Sequence, residues 1–515
     1  MRLKTGTTNG AAGSSAARSS EPTAILGAGP AGLTAAYTLA RRGVEAEVFE
    51  ADAVVGGLAR TVVHDGFRFD LGGHRFFTKI GPIERLWSEM LGDEFLTRPR
   101  LSRIYYNGKF FEYPLRAKDV VARLGVVESF RCLLSYVVAK LRPAKRPPET
   151  FEEWVTSRFG KRLYEAFFRS YTQKVWGLPG SEIRSQWAAQ RIKDLSLATA
   201  VRAMLGLNRK EVTTLIEEFK YPRLGPGQMW EAFRESIETS GIPVHLEQRC
   251  IAMHHSEGRV GSIVIKGKDG DERALAVDSV ISTMPLNELV RALNPPAPPE
   301  VQAAADHLRY RSLCLVALMT TQEEPFPDNW IYLHDPSVQA GRVQNFGAWS
   351  AGMVSPGMTC LGVEYFCFEG DDLWEMPEAE VVQLAIDELA QVGLLDPTLV
   401  SGGVRVRVPR AYPVYDRGYE DAVARIRAYL AQFSNLQTCG RNGLHRYNNQ
   451  DHSMWTAILA ALNVADDASY DVWSVNAEEV YLEETVAAEA RMDDALGEQA
   501  QLAARSRAAA VVRSP

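Results

Sequence analysis

Thr23-Ala24-Ile25-Leu26-Gly27-Ala28-Gly29-Pro30-Ala31-Gly32 is the stretch that decides the fold. Four apolar residues form a short strand, and a helix follows from Leu33 to Arg42. In this G-x-G-x-x-G context Gly27 permits the tight turn and Gly29 lets the backbone approach a pyrophosphate. Gly32 lets helix and strand pack closely. The helix N-terminus offers unpaired N–H groups and a partial positive charge to phosphates. A second strand, Glu45 to Phe49, ends at Glu50, where an acid binds a ribose hydroxyl. The pattern predicts a Rossmann-like α/β dinucleotide-binding domain, and it leaves FAD and NAD both open.

Outward from this turn the pattern changes several times. Residues 117–205 read as largely helical, 242–284 as alternating strands with turns at Gly258, Gly267 and Gly270, and 313–368 as strands again. A helix is predicted over 376–393, and a last strand near Leu436 to Cys439 precedes a helix from about Ser453. This interleaving predicts a cofactor domain that the chain leaves twice. Its expected parts are 22–112, 210–300 and 400–465, with a helical substrate-side domain at 113–209 and a β-sheet domain at 301–399. Residues 1–21 are expected to be a disordered tail, and 466–515 a polar helix and tail.

Composition bounds the chemistry. Lys and Arg total 57 against 64 Asp and Glu, a net charge of −7, which argues against nucleic acid as a partner. No run reaches the length of a spanning helix. The apolar run Phe130 to Leu141, followed by basic residues, is expected to pack as an amphipathic helix within the helical domain rather than lie on a membrane. Six scattered cysteines form no Cys-x-x-Cys, which fits a reducing, cytoplasmic setting. No His/Asp/Glu cluster suggests a metal.

Gly56-Gly57-Leu58-Ala59-Arg60, just past the ribose acid, resembles the flavoproteins of the glutathione-reductase and amine-oxidase superfamily. So does the strand ending in Asp278-Ser279-Val280-Ile281-Ser282-Thr283-Met284-Pro285. The resemblance implies FAD, held by Gly27, Gly29, Ala31, Gly32, Glu50, Gly57, Leu58 and Arg60. It also implies that the strand at Cys250 offers its backbone to the adenine, and that the segment after Gly440 lies near the flavin ring.

At Asp70-Leu71-Gly72-Gly73-His74 the resemblance sharpens to the UDP-galactopyranose mutase family, in its larger eukaryotic-type branch. Arg100, Tyr113-Pro114, Tyr171-Thr172-Gln173-Lys174-Val175-Trp176, Arg191, Trp330, Tyr332, Arg342, Tyr412-Pro413, Arg441, Arg446-Tyr447 and Asn449-Gln450-Asp451-His452-Ser453 follow in order. The family interconverts the pyranose and furanose forms of a nucleoside-diphosphate sugar without net redox change. Reduced FAD does this by attack of its N5 on the anomeric carbon. By resemblance Arg191 and Arg342 hold the departing diphosphate, since a guanidinium offers rigid bidentate donors and a permanent charge. Tyr332, Tyr412 and Tyr447 are carried over as hydroxyl donors to it. Arg100, Tyr113, Tyr171, Trp176, Trp330 and Arg441 would line the substrate pocket. Gly72, Gly73 and His74 would shape the flavin site, and Asn449, Gln450 and Ser453 would reach flavin or sugar. NAD(P)H is a candidate reductant, although no second G-x-G-x-x-G is present.

Two positions depart from that family. Thr172 stands where an Asn contacts the base, and Arg116 where a Gln follows the Tyr-Pro pair. Both lie where the nucleobase is read, so the base need not be uracil. Two other readings share the FAD signatures: an oxidase or desaturase of the amine-oxidase or protoporphyrinogen-oxidase type, and a flavin-binding scaffold. The sequence leaves the oligomeric state open.

Overall fold

The computed structural model describes residues 21–113, 115, 117–142, 146–185 and 218–476. Thr23–Leu26 is the middle strand of a five-stranded parallel sheet. Ser279–Ser282 and Leu436–Thr438 lie on one side of it, and Ala46–Phe49 and Val244–His245 on the other. All four of its residues are buried. A parallel strand covered on both faces is apolar throughout, which is why no alternation appears in the sequence. Helix Pro30–Arg41 begins three residues earlier than the sequence predicts, with Pro30 in its first turn. It shares one core with helices Gly227–Thr239 and Gln450–Ala465.

A second sheet is the meander Gln248–Ser256, Arg259–Gly267, Glu272–Ala276, extended in parallel by Leu293–Asn294. The largest sheet has seven strands in the order Val400–Pro413, Tyr310–Thr320, Thr359–Cys367, Arg342–Asn345, Trp330–Leu333, Ser102–Tyr106, Lys109–Glu112. Residues 102–112 and 400–413, which the sequence reading groups with the cofactor domain, hydrogen-bond into this sheet. Its central strands Tyr310–Thr320 and Thr359–Cys367 are almost wholly buried. Short helices from Ala117 to Trp176 pack against one side.

Helix Val126–Leu141 differs from its expected packing. Cys132 is its one fully buried side chain, and Val126, Val127, Phe130, Leu133, Leu134, Val137, Val138 and Leu141 are exposed. All six cysteines are buried and unpaired. Burial pushes the Cys250, Cys367 and Cys439 thiols up to about 12.

The first turn is tightly built. A Cβ at Gly32 would lie 1.8 Å from the Gly27 carbonyl oxygen, so no larger residue enters without moving backbone. Gly32→Ala should therefore lower unfolding free energy by about 1–3 kcal/mol. Denaturant titration checks this, and a variant as stable as the parent would show that the turn can open.

Candidate functional site

A cavity of about 910 Å³ runs from the Gly27–Gly32 turn, beneath the five-stranded sheet's carboxyl ends, to the face of the seven-stranded sheet. Its volume suits a large ligand with a second one beside it. At the sheet end, helix Pro30–Arg41 carries no side-chain cap and no acid in its first turn, so its N–H groups remain for a ligand. Gly29 and Gly57 back onto each other there: a Cβ on Gly57 would stand 3.2 Å from the Gly29 Cα. Leu58 and Ala31 line the same wall. The Glu50 carboxylate accepts the Ala28 N–H at 2.6 Å and the Asp52 N–H at 2.9 Å, while burial raises its pKa. Arg60 donates to Asp52 at 2.6 Å. Cys250 lines the cavity from the edge of the second sheet, and its Sγ faces the Ala252 carbonyl at 3.6 Å.

A second helix N-terminus meets the cavity at Gln450–Ala465, whose N-cap Asn449 makes no side-chain capping bond. Gly440 precedes it across a turn, with its N–H donated to Thr456 Oγ1 at 2.9 Å. Gln450 and Ser453 both line the cavity, and Gln450 Oε1 is buried with no partner.

The other end is built on Gly72-Gly73-His74, the turn after strand Phe67–Asp70. Asp70 anchors that turn: it is fully buried and accepts Tyr221 Oη at 2.5 Å and Thr61 Oγ1 at 3.2 Å. Gly73 is exposed to the cavity, and Gln344 stands behind it, 2.8 Å from where a Cβ would be. Burial, with the charges of Arg441 and Arg342, lowers the His74 pKa from 6.5 to about 3. At that value the ring is neutral at physiological pH.

Arg342 is held bidentately. Its Nε and Nη2 donate to the Glu364 carboxylate at 2.8 and 2.5 Å, and Gln344 Nε2 donates to the same carboxylate at 2.6 Å. Glu364 is 0% exposed. Burial opposes the guanidinium charge, but the carboxylate more than offsets it, so the Arg342 pKa lies well above its ordinary value.

Aromatic rings close the space around Arg342. Tyr412 and Tyr447 stack at 5.6 Å, and the Arg441 guanidinium lies over both, 4.9 and 4.0 Å from their centres. Trp176 meets the same pair edge-on. Tyr332 meets Tyr113 and Tyr171 edge-on at 5.1 and 5.6 Å. Arg100 covers Tyr113 and Trp330 at 5.3 and 5.6 Å, and Trp330 itself stacks on the core residue Trp349. Thr172 is buried and lines the cavity. Arg116 and Arg191 lie outside the described residues.

Several residues of this site are absent from the sequence reading. Arg75, Gln344, Glu364 and Asn448 carried no role there, and Lys174 entered only as a motif letter. Glu364 had a signal: it is the one acid in the apolar run Thr359–Cys367, and a buried carboxylate needs a partner. Lys174 ties its helix to the Tyr332–Arg342 hairpin. Its Nζ donates to the carbonyls of Leu333, Asp335 and Ala340 at 2.9, 2.6 and 3.1 Å. From the opposite side buried Glu388 accepts the Gln339 and Ala340 N–H groups and Tyr365 Oη.

The sequence model of the flavin containing amine oxidoreductases matches residues 30–467. The chain belongs to this family. Membership indicates FAD, and the residues fit it: a glycine cradle that Cβ atoms would fill, an acid beyond the second strand, two uncapped helix N-termini, and an unpartnered Gln450 oxygen. Probable UDP-galactopyranose mutase of Klebsiella pneumoniae is 30% identical over 167 residues, 31% of this chain and 42% of that protein. Protoporphyrinogen oxidase 2 of Arabidopsis thaliana is 32% identical over 146 residues, 27% of this chain and 28% of that one. These matches thus span less than half of either relative. L-amino-acid oxidase of Sistrurus catenatus edwardsii is 24% identical over 325 residues, 58% of each chain. Among solved structures, reduced UDP-galactopyranose mutase superposes with a TM-score of 0.77 at 23% identity, covering 89% of this chain and 96% of that one. Cyclohexylamine oxidase from Brevibacterium oxydans gives 0.61 at 14%, covering 87% and 99%. At these identities the likeness shows the amine-oxidoreductase fold, mixed α/β with several sheets. No helix among the described residues is long and apolar enough to cross a membrane.

Two outcomes follow from this geometry. Lys174→Met leaves three carbonyls without their donor and should cost about 3 kcal/mol of stability; denaturant unfolding checks it, and an unchanged midpoint would mean the hairpin stands without the lysine. The second concerns acid. His74 and His334 are lowered to about 3 and His445 to about 4, chiefly by burial, against 6.5 for the free side chain. The unfolded chain therefore binds protons that the folded chain refuses, and these residues cost nothing above about 6.5 and destabilise increasingly as pH falls toward 4. His445→Gln should flatten that slope in Tm measured between pH 7 and pH 4.5; an equally steep slope would mean that its ring is not held neutral.

Proposed function

We propose that the protein is a flavin-dependent mutase that interconverts the pyranose and furanose forms of a nucleoside-diphosphate sugar with no net redox change. The observation that carries this reading is Arg342, fixed by Glu364, whose carboxylate Gln344 also holds, beside the Gly72–His74 turn and ringed by tyrosines. An amine does not call for such a cation. A sugar diphosphate that leaves, waits and returns does. The Klebsiella mutase match supports the same choice.

In this reading the bound flavin, once reduced, supplies the nucleophile and the electron pair. The chain's own residues do the rest. Glu364 aims Arg342, so the charge met by the departing diphosphate is preorganised and needs no rearrangement during the reaction. Arg191 is the second cation carried over from the mutase family. Tyr332, Tyr412 and Tyr447 offer hydroxyl donors, and Arg441, seated on two of those rings, adds positive potential. Neutral His74 gives shape and polarity to the flavin face, and the Gly73 carbonyl is the proposed partner of the flavin N–H. Thr172 and Arg116 mark the base-reading end, where thymidine or guanosine diphosphate sugars compete with uridine. NAD(P)H is the proposed source of electrons.

A flavin oxidase is the second reading, favoured by matches to L-amino-acid oxidases that run over 58% of the chain. The deciding experiment reduces the enzyme anaerobically, offers a panel of nucleotide sugars, and looks for furanose products. Stoichiometric oxygen consumption with an amine or amino acid, and no furanose, would establish the oxidase. Arg342→Lys keeps the charge that Glu364 requires but loses the fork. It should lower kcat/KM by about 100-fold or more with FAD content unchanged; activity at the parent's level would take Arg342 out of the mechanism.

A further inference from the structure

The substrate end carries more positive charge than the Arg342 clamp uses. Arg75, next to His74 in sequence, lines the cavity together with Arg100, Tyr113, Tyr332 and Tyr447. Its side chain is half-buried in the cavity wall, and burial lowers its pKa, helped by the Arg100 charge and opposed by the tyrosines. Among the described residues no carboxylate lies within ion-pair distance of Arg75 or Arg100, and Arg100 Nε is buried without a partner. The carboxylates of the cavity and its wall are engaged elsewhere. Glu364 holds Arg342, Asp52 holds Arg60, Glu288 holds Arg410, Glu50 accepts backbone N–H groups, and Asp451 accepts the His452 N–H.

Two neighbouring, half-buried guanidiniums without a counter-charge repel each other and are incompletely solvated. A ligand that neutralises both removes that repulsion. A carboxylate brings one charge and two oxygens, enough for one fork. A diphosphate brings two charges and oxygens on both phosphorus atoms, enough for two forks and for the tyrosine hydroxyls around them. We propose that Arg75 and Arg100 form a phosphate-binding pair that takes the substrate's diphosphate, in addition to the Arg342 clamp. Its identification as a sugar's diphosphate rests on the mutase reading; the phosphate site itself does not.

The test uses the FAD-loaded full chain in its oxidised form, titrated with inorganic pyrophosphate, with UDP, and with uridine and acetate as controls, followed by the flavin absorbance change. Arg75→Ala should weaken pyrophosphate and UDP by about 10- to 100-fold, with uridine affinity and FAD content unchanged. Arg75→Lys should fall between, and added salt should weaken the parent more than the alanine variant. Arg75→Gln serves where the alanine variant does not fold. Pyrophosphate bound as tightly by Arg75→Ala and Arg75→Gln as by the parent would overturn the proposal, as would acetate displacing pyrophosphate at equal concentration. Arg75-dependent pyrophosphate binding in an enzyme that makes no furanose would overturn the mutase reading and leave the phosphate pair standing.

Discussion

Glu364 stands in the middle of an otherwise apolar, fully buried strand, and the substrate end of the molecule is arranged around the need to satisfy it. An ionised carboxylate at that depth is tolerated only when its oxygens are filled, and Arg342 and Gln344 on the adjacent strand fill them. The pairing orients the guanidinium more firmly than solvent could. It also fixes Gln344 behind Gly73, so the turn beside the cofactor face and the cation share one support. Removing one member leaves the other buried and uncompensated, which is why the conservative lysine variant reads function better than alanine does.

The cofactor end was legible in sequence because its rules are local. Glycines at 27, 29 and 32 and an acid at 50 report a turn whose geometry depends on residues within one βαβ unit; the structure brings Gly27, Gly29 and Glu50 to one cavity wall and packs Gly32 against the Gly27 carbonyl. The seven-stranded sheet was less legible. Nothing local says that Val400–Pro413 is a strand paired with Tyr310–Thr320, or that Ser102–Tyr106 pairs in parallel with Trp330–Leu333. Register between distant strands is a property of the assembled core. The same limit hid Arg75 and Glu364, whose roles come from neighbours far along the chain. The helix at 126–141 shows the converse: its apolar run predicted burial, and the structure leaves most of that run facing outward.

Net charge conceals how the molecule distributes its electrostatics. The chain carries −7 overall, yet the cavity gathers Arg75, Arg100, Arg342 and Arg441 with two helix N-termini. Each is far weaker in water than within low-dielectric walls lined by aromatic rings. The neutral histidines fit this field, because a proton on His74 would add to positive charge already in place.

The cysteines carry a practical consequence. All six are buried, and burial holds their thiols well above neutral pH. Thiolate, the reactive form, is scarce at every one of them while the chain is folded. Alkylating dyes thus become reporters of opening: whichever cysteine is labelled first names the part of the core that yields first.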